Sequence, residues 1–207
     1  FTGQANYTRK LTSRIKLASS LGYDIFDRRT NRIEGFTQGG FVVPGWYHLN
    51  NGLEGSRSAQ ASTRYRINGV FGNINLGYND WLYVDYSARN DWSSTLPKAN
   101  NSFFYQAVGV SAVLSEVLGM KNSKISDFLK LRASIGTTGK DAGLYLLESS
   151  FLGNPVFQPL ANGHDLFFPL NNQSGFTLGN AIGNPNLKPE LTVTTEVGAD
   201  ISFFQDR

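Results

Sequence analysis

The stretch from Trp81 to Glu116, WLYVDYSARNDWSSTLPKANNSFFYQAVGVSAVLSE, decides the fold. It holds two segments of about ten residues in which side-chain character alternates with period two, and a polar loop separates them. Such alternation is typical of a β-strand with two different environments. In the first segment Leu82 and Val84 share one face, and Asp85 and Arg89 share the other. Ordinary globular strands have about five or six residues, so the stretch predicts an unusually long, two-faced hairpin.

The same alternation recurs elsewhere in the chain, at about residues 10–27, 58–78, 129–137 and 191–203. A change of parity within the second of these segments predicts a β-bulge near Gly72-Asn73, and Asn79-Asp80 predicts a tight turn. Long irregular connections are expected at about 28–57 and 140–189, which are rich in Gly, Asn and Pro. Short turns on one end and long loops on the other are typical of outer-membrane barrels. The predicted fold is all-β: an antiparallel transmembrane β-barrel segment of about six long strands.

Composition limits the function classes. The chain has 207 residues, of which 13% are aromatic, so a disordered chain is not expected. It has no cysteine, which excludes disulfides and cysteine-ligated metal sites. The net charge of +3 is small and the basic residues form no run, so no nucleic-acid partner is predicted. Because the chain starts at Phe1 and shows no signal peptide, we expect it to be an internal or processed piece of a larger protein.

Four motifs resemble those of one family. Residues 88–97 (ARNDWSSTLP) and 100–105 (NNSFFY) resemble the RxDWSSTLP…N.SYFYP signature of SusC/RagA-type TonB-dependent transporters. Residues 41–51 (FVVPGWYHLNN) are similar to the family's vPGxYxLxN loop, and residues 129–136 (LKLRASIG) to its LKLRASxG strand. Residues 184–190 (NPNLKPE), followed by 196–198 and 201–204, resemble its NpnLKPE…E.G segment. One departure is Gln106, which stands where proline is usual.

The resemblance implies a barrel of roughly 22 strands with a plug in its lumen. Six strands cannot close a barrel, since about eight is the minimum. Residues 1–207 are therefore expected to be part of a TonB-dependent receptor β-barrel domain: an incomplete barrel, without the plug. The implied location is the outer membrane of a Gram-negative bacterium. The implied function is TonB-dependent uptake of a bulky nutrient such as a glycan or peptide, to which this chain contributes barrel wall and extracellular loops.

The implied partners are a SusD-like surface lipoprotein, outer-membrane lipid, the substrate, and TonB through an N-terminal part that this chain lacks. No chemistry on the substrate is implied, so an enzyme is not predicted. His164 beside Asp165 would be the pair to consider for acid–base work, but no nucleophile motif accompanies it. Asn162, Asp165, Asn171 and Asn172 could offer oxygen ligands to calcium, although their spacing matches no EF-hand. No catalytic residue, metal site or cofactor is predicted.

Two sets of residues are candidates for binding. Loop aromatic and histidine side chains are candidates for substrate or partner contact: Trp46, Tyr47, His48, Phe167 and Phe168. Polar strand residues are expected to face the barrel interior, where they line a water-filled lumen or form hydrogen bonds with the plug: Arg14, Lys16, Arg64, Arg66, Arg89, Lys130, Arg132, Glu196 and Asp200. Packing within the loops is the ordinary alternative for the first set.

Two other functions remain open from the residues. One is a porin or adhesin of the outer membrane that does not use TonB, which a plug and a TonB-binding segment upstream in the gene would exclude. The other is a soluble β-sandwich that binds carbohydrate. That alternative predicts short strands and a monomer that folds without detergent.

Overall fold

The computed structural model describes residues 1–119, 126–152, 158–159, 165–166, 173–179 and 181–203. The chain divides into two compact units. The larger consists of Phe1–Ile25 and Ile67–Arg207, and the smaller of Phe26–Arg66. Within the described residues no helix is long and apolar enough to cross a membrane.

The strands and helices are as follows in chain order. The strands are β1 (Thr2–Lys10), β2 (Ile15–Thr37), β3 (Ser56–Tyr78), β4 (Leu82–Ser93), β5 (Ser102–Val113), β6 (Ser126–Lys140), β7 (Phe151–Leu152), β8 (Gln158–Pro159), β9 (Asp165–Leu166), β10 (Thr177–Leu178) and β11 (Glu190–Phe203). A 3-10 helix covers Leu49–Asn51, and the helix α1 covers Leu114–Val117. Seven strands form one antiparallel sheet in the order β1-β2-β3-β4-β5-β6-β11, which confirms the predicted all-β fold.

The strand register gives the sheet of the larger unit two chemically different faces. One row of paired residues across five strands is apolar: Leu76, Val84, Val110, Ala133 and Val197. The adjacent row is mostly polar and lies on the opposite face: Asn75, Asp85, Gly109, Ser134 and Glu196. Apolar side chains stay uncovered on their face, and Val197 is 85% exposed. A soluble protein would bury such a face, so this sheet is built for an apolar environment on one side.

The first hairpin differs from the prediction. A single strand over 10–27 was expected, whereas β1 and β2 pair as a hairpin around a turn at residues 11–14. The turn contains no glycine or proline. The Thr12 hydroxyl forms it by accepting hydrogen bonds from the backbone N–H groups of Arg14 (3.2 Å) and Ile15 (3.0 Å). Seven long strands result instead of about six.

The predicted bulge near Gly72-Asn73 is also wrong, because the β3–β4 register runs without a shift from Ile67 to Tyr78. Phe71 therefore lies on the polar face, opposite Arg89 in β4. Two features accommodate it there. A Cβ at Gly22 would come within 2.9 Å of the Phe71 ring, so the ring occupies the space that a side chain would fill. The Arg89 guanidinium lies 5.5 Å from the ring centroid, which is cation–π geometry.

The turns of the larger unit collect at two ends of the sheet. The predicted tight turn is confirmed, since Asn79 and Asp80 both have left-handed backbone (φ 48° and 59°), and Asn and Asp tolerate that conformation. The Asn79 N–H donates to the Arg14 carbonyl (2.8 Å), so the turn at 11–14 lies beside it. At the other end the Asn100 side chain donates to the Leu187 carbonyl (3.0 Å). That contact brings two of the longer connections together.

Of the two long connections, one is shorter than expected and the other has nearly the expected length. β2 continues to Thr37 and β3 begins at Ser56, so the irregular segment is 38–55 rather than 28–57. Both strands have 23 residues, about twice the 9–11 that a strand needs to cross a bilayer. The connection from β6 to β11 starts at residue 141 and ends at 189, close to the expected 140–189, and it contains the antiparallel pairs β7–β10 and β8–β9.

Candidate functional site

The polar face carries an ion cluster that joins three strands, formed by Asp24 of β2, Arg89 and Asp91 of β4, and Tyr105 of β5. Arg89 Nη2 donates to Asp24 Oδ1 (2.9 Å) and Arg89 Nε to Asp91 Oδ1 (2.7 Å). The Tyr105 hydroxyl donates to the second oxygen of Asp91 (2.7 Å). Asp91 is 4% exposed, so it is a buried carboxylate with both oxygens bonded. We call this group the Asp24–Arg89 cluster.

Gly69 leaves the room that this cluster occupies. A Cβ at Gly69 would lie 2.6 Å from Asp24 Oδ1 and closer still to Arg89 and Asp91. Real Cβ atoms do not approach other atoms so closely. β3 therefore has no side chain at this position, and the charged side chains of β2 and β4 meet over Gly69.

A second charged region lies on the same face at β6 and β11. Lys130 pairs in register with Asp200, Arg132 with Gly198, and Ser134 with Glu196. Arg132 Nη1 lies 3.8 Å from Asp200 Oδ2, and the Arg132 side chain covers Gly198. Four of the predicted polar residues are thus brought onto one face, with the two cations on β6 and the two anions on β11.

Other predicted polar residues lie elsewhere. Arg14 lies in the turn at 11–14 and not in a strand. Lys16, at the start of β2, bonds Asp80 Oδ1 of the tight turn (2.5 Å). The placement of Arg64 and Arg66 on the polar face depended on the parity change in β3, and without a bulge that prediction loses its basis.

In the smaller unit Arg64 and Arg66 converge on one carboxylate. Arg64 Nη2 and Arg66 Nη2 donate to Asp27 Oδ2 at 2.8 Å and 2.5 Å. Asp27 is the thirteenth residue of β2, beyond the 9–11 residues that cross a bilayer. Hydrogen bonds from the two guanidinium groups hold the pKa of Asp27 far below its usual range. This acid therefore stays ionised at any physiological pH.

The segment 41–51, which we call the aromatic loop, is organised around one buried amide. Asn51 is 1% exposed. Its Oδ1 accepts from the Val43 N–H (2.9 Å), and its Nδ2 donates to the carbonyls of Val43 (2.8 Å) and Trp46 (2.6 Å). Three side-chain hydrogen bonds from one residue define the loop's path, so the aromatic loop has a fixed conformation.

The predicted contact residues are displayed on this loop. Trp46 stacks on His48 with ring centroids 5.1 Å apart, and Tyr47 meets Phe41 edge-on at 5.5 Å. His48 Nδ1 accepts from the Asn50 N–H (3.1 Å), which caps the 3-10 helix. Tyr47 is 83% exposed. The structure thus brings Trp46, Tyr47 and His48 together, whereas Phe167 and Phe168 lie outside the described residues.

Sequence reasoning missed a contact between residues 93–100 and the segment that follows β6. We call this contact the seam. The Ser93 hydroxyl and the Thr95 hydroxyl (3.0 Å) both bond Asp141 Oδ2. Ser93, Thr95 and Leu96 are buried here, so the seam is closely packed. The small polar residues of DWSSTLP were the signal, because buried hydroxyls need partners.

Within the described residues no group of three or more His, Cys, Asp and Glu side chains could hold a metal ion. His164 and the four residues considered for calcium lie outside the described side chains. The described residues thus offer three candidate surfaces, which are the two charged regions on the polar face and the aromatic loop.

Comparison with known proteins places these features in context. The family model described as "TonB dependent receptor-like, beta-barrel" matches residues 1–207. TonB-dependent receptor P26 of Formosa agariphila is 30% identical over 150 residues, and TonB-dependent receptor P3 of the same organism is 27% identical over 143 residues. The aligned regions cover 69% and 67% of this chain, but 13% of each relative.

Solved structures share the fold. The structure of the RagAB peptide importer in the closed-closed state superposes with a TM-score of 0.80 at 23% identity, and the open-open state with 0.72 at 23%. Both matches cover all of this chain and about a fifth of the matched chain, 22% and 21% respectively. The chain thus corresponds to a small part of each of these proteins.

Proposed function

The chain belongs to the TonB-dependent receptor β-barrel family, and from this membership we propose that it forms part of the wall and mouth of an outer-membrane transporter. The transporter takes up a bulky nutrient, a glycan or a peptide, with energy supplied through TonB. The observation that carries the proposal is the register of the sheet, which separates an uncovered apolar face from a charged face over five strands.

The two faces have different roles in this proposal. Hydrocarbon contacts the apolar face, since lipid tails replace the water that an exposed Val197 or Ile135 would otherwise meet. The polar face lines the lumen. Its charges occur as pairs of opposite sign, such as Arg89 with Asp24 and Arg132 with Asp200, and such a surface attracts neither a strongly anionic nor a strongly cationic substrate.

A surface lipoprotein of the SusD-like kind docks on the aromatic loop. The solved structures that share the fold are of the RagAB peptide importer, and the aromatic loop has the character of a protein contact. Its conformation is fixed by Asn51, and it exposes Tyr47 and Trp46. Rigid, exposed aromatic side chains are enriched at protein interfaces.

Deletion of the gene tests the proposed activity. The deletion strain should lose growth on one class of polymeric nutrient, and a strain that lacks TonB should lose growth on the same nutrient. Uptake that persists without TonB would favour the porin alternative. A chain recovered in the soluble fraction rather than in the outer membrane would favour the soluble carbohydrate-binding β-sandwich.

A further inference from the structure

The smaller unit, Phe26–Arg66, is rich in arginine. It contains six arginines, no lysine and three acidic residues, so its net charge of +3 equals the net charge of the whole chain. We propose that one side of this unit, which we call the arginine face, binds the phosphate groups of a glycolipid in the outer leaflet of the outer membrane. The inference rests on the proposed function and adds a specific lipid ligand to it.

Hydrogen bonds between β2 and β3 show which side chains share the arginine face. Arg64 Nη2 and Arg66 Nη2 both donate to Asp27, at 2.8 Å and 2.5 Å. The Asn31 side chain also accepts a hydrogen bond from β3 (2.8 Å). Successive side chains of a strand point to opposite sides, so Arg29, midway between Asp27 and Asn31, points to the same side as they do. Arg29 is exposed.

Asp27 orients two guanidinium groups but neutralises only one charge. Arg64 Nε also donates to Asp27 Oδ1 (3.3 Å), and Arg66 Nε donates to Asp27 Oδ2 (3.0 Å), so each guanidinium is held through two of its nitrogen atoms. Arg29 adds a third cation on the same side. These four residues together carry a net charge of +2, which favours an anionic ligand.

The arginines on the opposite side of the same strands are used within the unit. The Arg28 guanidinium lies 6.0 Å and 5.9 Å from the ring centroids of Phe26 and Tyr65, which is cation–π geometry. Arg32 forms an ion pair with Glu34. The charge that an external anion would meet is therefore concentrated on the arginine face.

The arginine face lies at the height of lipid headgroups. Asp27 and Arg29 are the thirteenth and fifteenth residues of β2. Arg66 and Arg64 are the thirteenth and fifteenth residues counted back from the end of β3. A strand crosses the bilayer with about 9–11 residues at a tilt of about 45°, and it rises about 3.3 Å per residue. All four residues thus lie roughly 5–9 Å beyond the hydrocarbon, where the headgroup layer is roughly 5–8 Å thick.

Guanidinium chemistry selects phosphate as the ligand group. The planar guanidinium donates two parallel hydrogen bonds to a phosphate, whereas a lysine ammonium acts as a point charge. A soluble anionic substrate could use the same donors, but it has no reason to be held at the level of the headgroups. The position of the arginine face on the two strands therefore favours a lipid phosphate.

Native mass spectrometry of the full-length transporter in detergent measures the binding of lipid A. The probes are lipid A that carries phosphate and the same lipid A after its phosphate groups are removed. Inorganic phosphate and hexagalacturonate serve as soluble competitors. Arg29→Gln, Arg64→Gln and the double variant remove charge from the arginine face, and Arg64→Lys retains the charge without the planar guanidinium.

Arg57→Gln is the matched control. It makes the same change of charge in the same unit, and Arg57 is exposed. Arg57 is the twenty-second residue counted back from the end of β3, well beyond the headgroup layer. Thermal unfolding followed by circular dichroism establishes that each variant is folded. Arg29→Gln leaves the hydrogen bonds of Asp27 in place, so it tests the inference even if the Arg64 variants fail to fold.

Phosphorylated lipid A should bind to the unchanged protein. Its affinity should fall about fivefold in Arg29→Gln and about 25-fold in the double variant, the losses expected for one and two cations near an anionic membrane surface. Arg64→Lys should lose less affinity than Arg64→Gln. Arg57→Gln should bind like the unchanged protein, and removal of phosphate from lipid A should weaken its binding to the unchanged protein.

Four results would overturn the inference. Lipid A could bind equally well without phosphate, or its affinity could be unchanged in the double variant. Arg57→Gln could weaken binding as much as Arg29→Gln, which would indicate diffuse attraction without a site. A soluble competitor could displace lipid A with the same dependence on Arg29 and Arg64, which would indicate a site for a soluble anion.

The outcome is separable from that of the proposed function, because none of these measurements needs TonB. If uptake proves independent of TonB while lipid A binding depends on Arg29, the proposed function fails and the arginine face stands. If uptake requires TonB and the variants bind lipid A normally, the arginine face fails alone.

Discussion

At the scale of single residues, a methyl group at Gly69 should disturb a charged cluster. Its Cβ would have to displace the atoms of the Asp24–Arg89 cluster. We expect Gly69→Ala to destabilise the full-length barrel by about 1–3 kcal/mol, as overpacking does. Gly109→Ala is the matched control, because Gly109 lies on the same face but its Cβ would meet nothing nearer than 3.7 Å. Denaturant unfolding of both variants in detergent measures the difference, and equal stabilities would contradict the role given to Gly69.

Asn51 should decide the order of the aromatic loop. Asn51→Ala removes three side-chain hydrogen bonds and leaves the carbonyls of Val43 and Trp46 without that donor. Each hydrogen bond lost costs about 0.5–1.5 kcal/mol of net stability, so the loop should open far more often. Hydrogen exchange at the amides of Val42, Val43, Gly45 and Trp46 should become faster, while the neighbouring exposed Asn50→Ala should leave it unchanged. Unchanged exchange in Asn51→Ala would show that the loop is held by other contacts.

At the scale of elements, an introduced lysine should change the stability of the barrel by different amounts on the two faces of one strand. Val84 and Ser87 lie on opposite faces of β4, and both are exposed in this structure. Val84→Lys should destabilise the membrane-inserted barrel by about 2–4 kcal/mol if the residue lies at mid-bilayer, and by less nearer the interface. Ser87→Lys should have little effect, because its side chain meets water or polar groups. Urea unfolding in lipid vesicles gives both values, and similar losses would contradict the assignment of faces.

Element-level features could be predicted where a binary pattern or a turn signal existed. Alternation in 82–89 predicted the two faces, and Asn79-Asp80 predicted the turn. The hairpin β1–β2 was not predicted, because its turn depends on hydrogen bonds to the Thr12 hydroxyl. The alternation of side-chain character continues through this turn and gives no sign of it. The outer part of β2 was not predicted, because polar residues occupy both parities from Asp27 to Arg32.

Site residues were predictable only in part, for a related reason. The exposed aromatic side chains at 46–48 are conspicuous in the sequence, and the structure brings them together. The role of Phe71 could not be derived, because an apolar residue on a polar face is explained only by Gly22 in another strand and by Arg89. The partner of Ser93 and Thr95 lies more than forty residues away at Asp141. Tertiary contacts of this kind leave no local pattern.

At the scale of the whole molecule, the proposal that the polar face lines a lumen predicts a periodic environment along each strand. This chain has no cysteine of its own, and single cysteines for spin labels are introduced into it in a full-length background from which any other cysteine is removed. Labels at Val84, Val110 and Val197 should collide more with oxygen, which dissolves in hydrocarbon, than with a water-soluble nickel complex. Labels at Ser87, Ser111 and Glu196 should show the opposite preference or be shielded from both reagents. The alternation should therefore be visible in the ratio of the two collision rates in the full-length protein in lipid vesicles. A ratio that does not alternate along β4 would mean that the sheet does not separate lipid from lumen, and it would return the soluble β-sandwich to consideration.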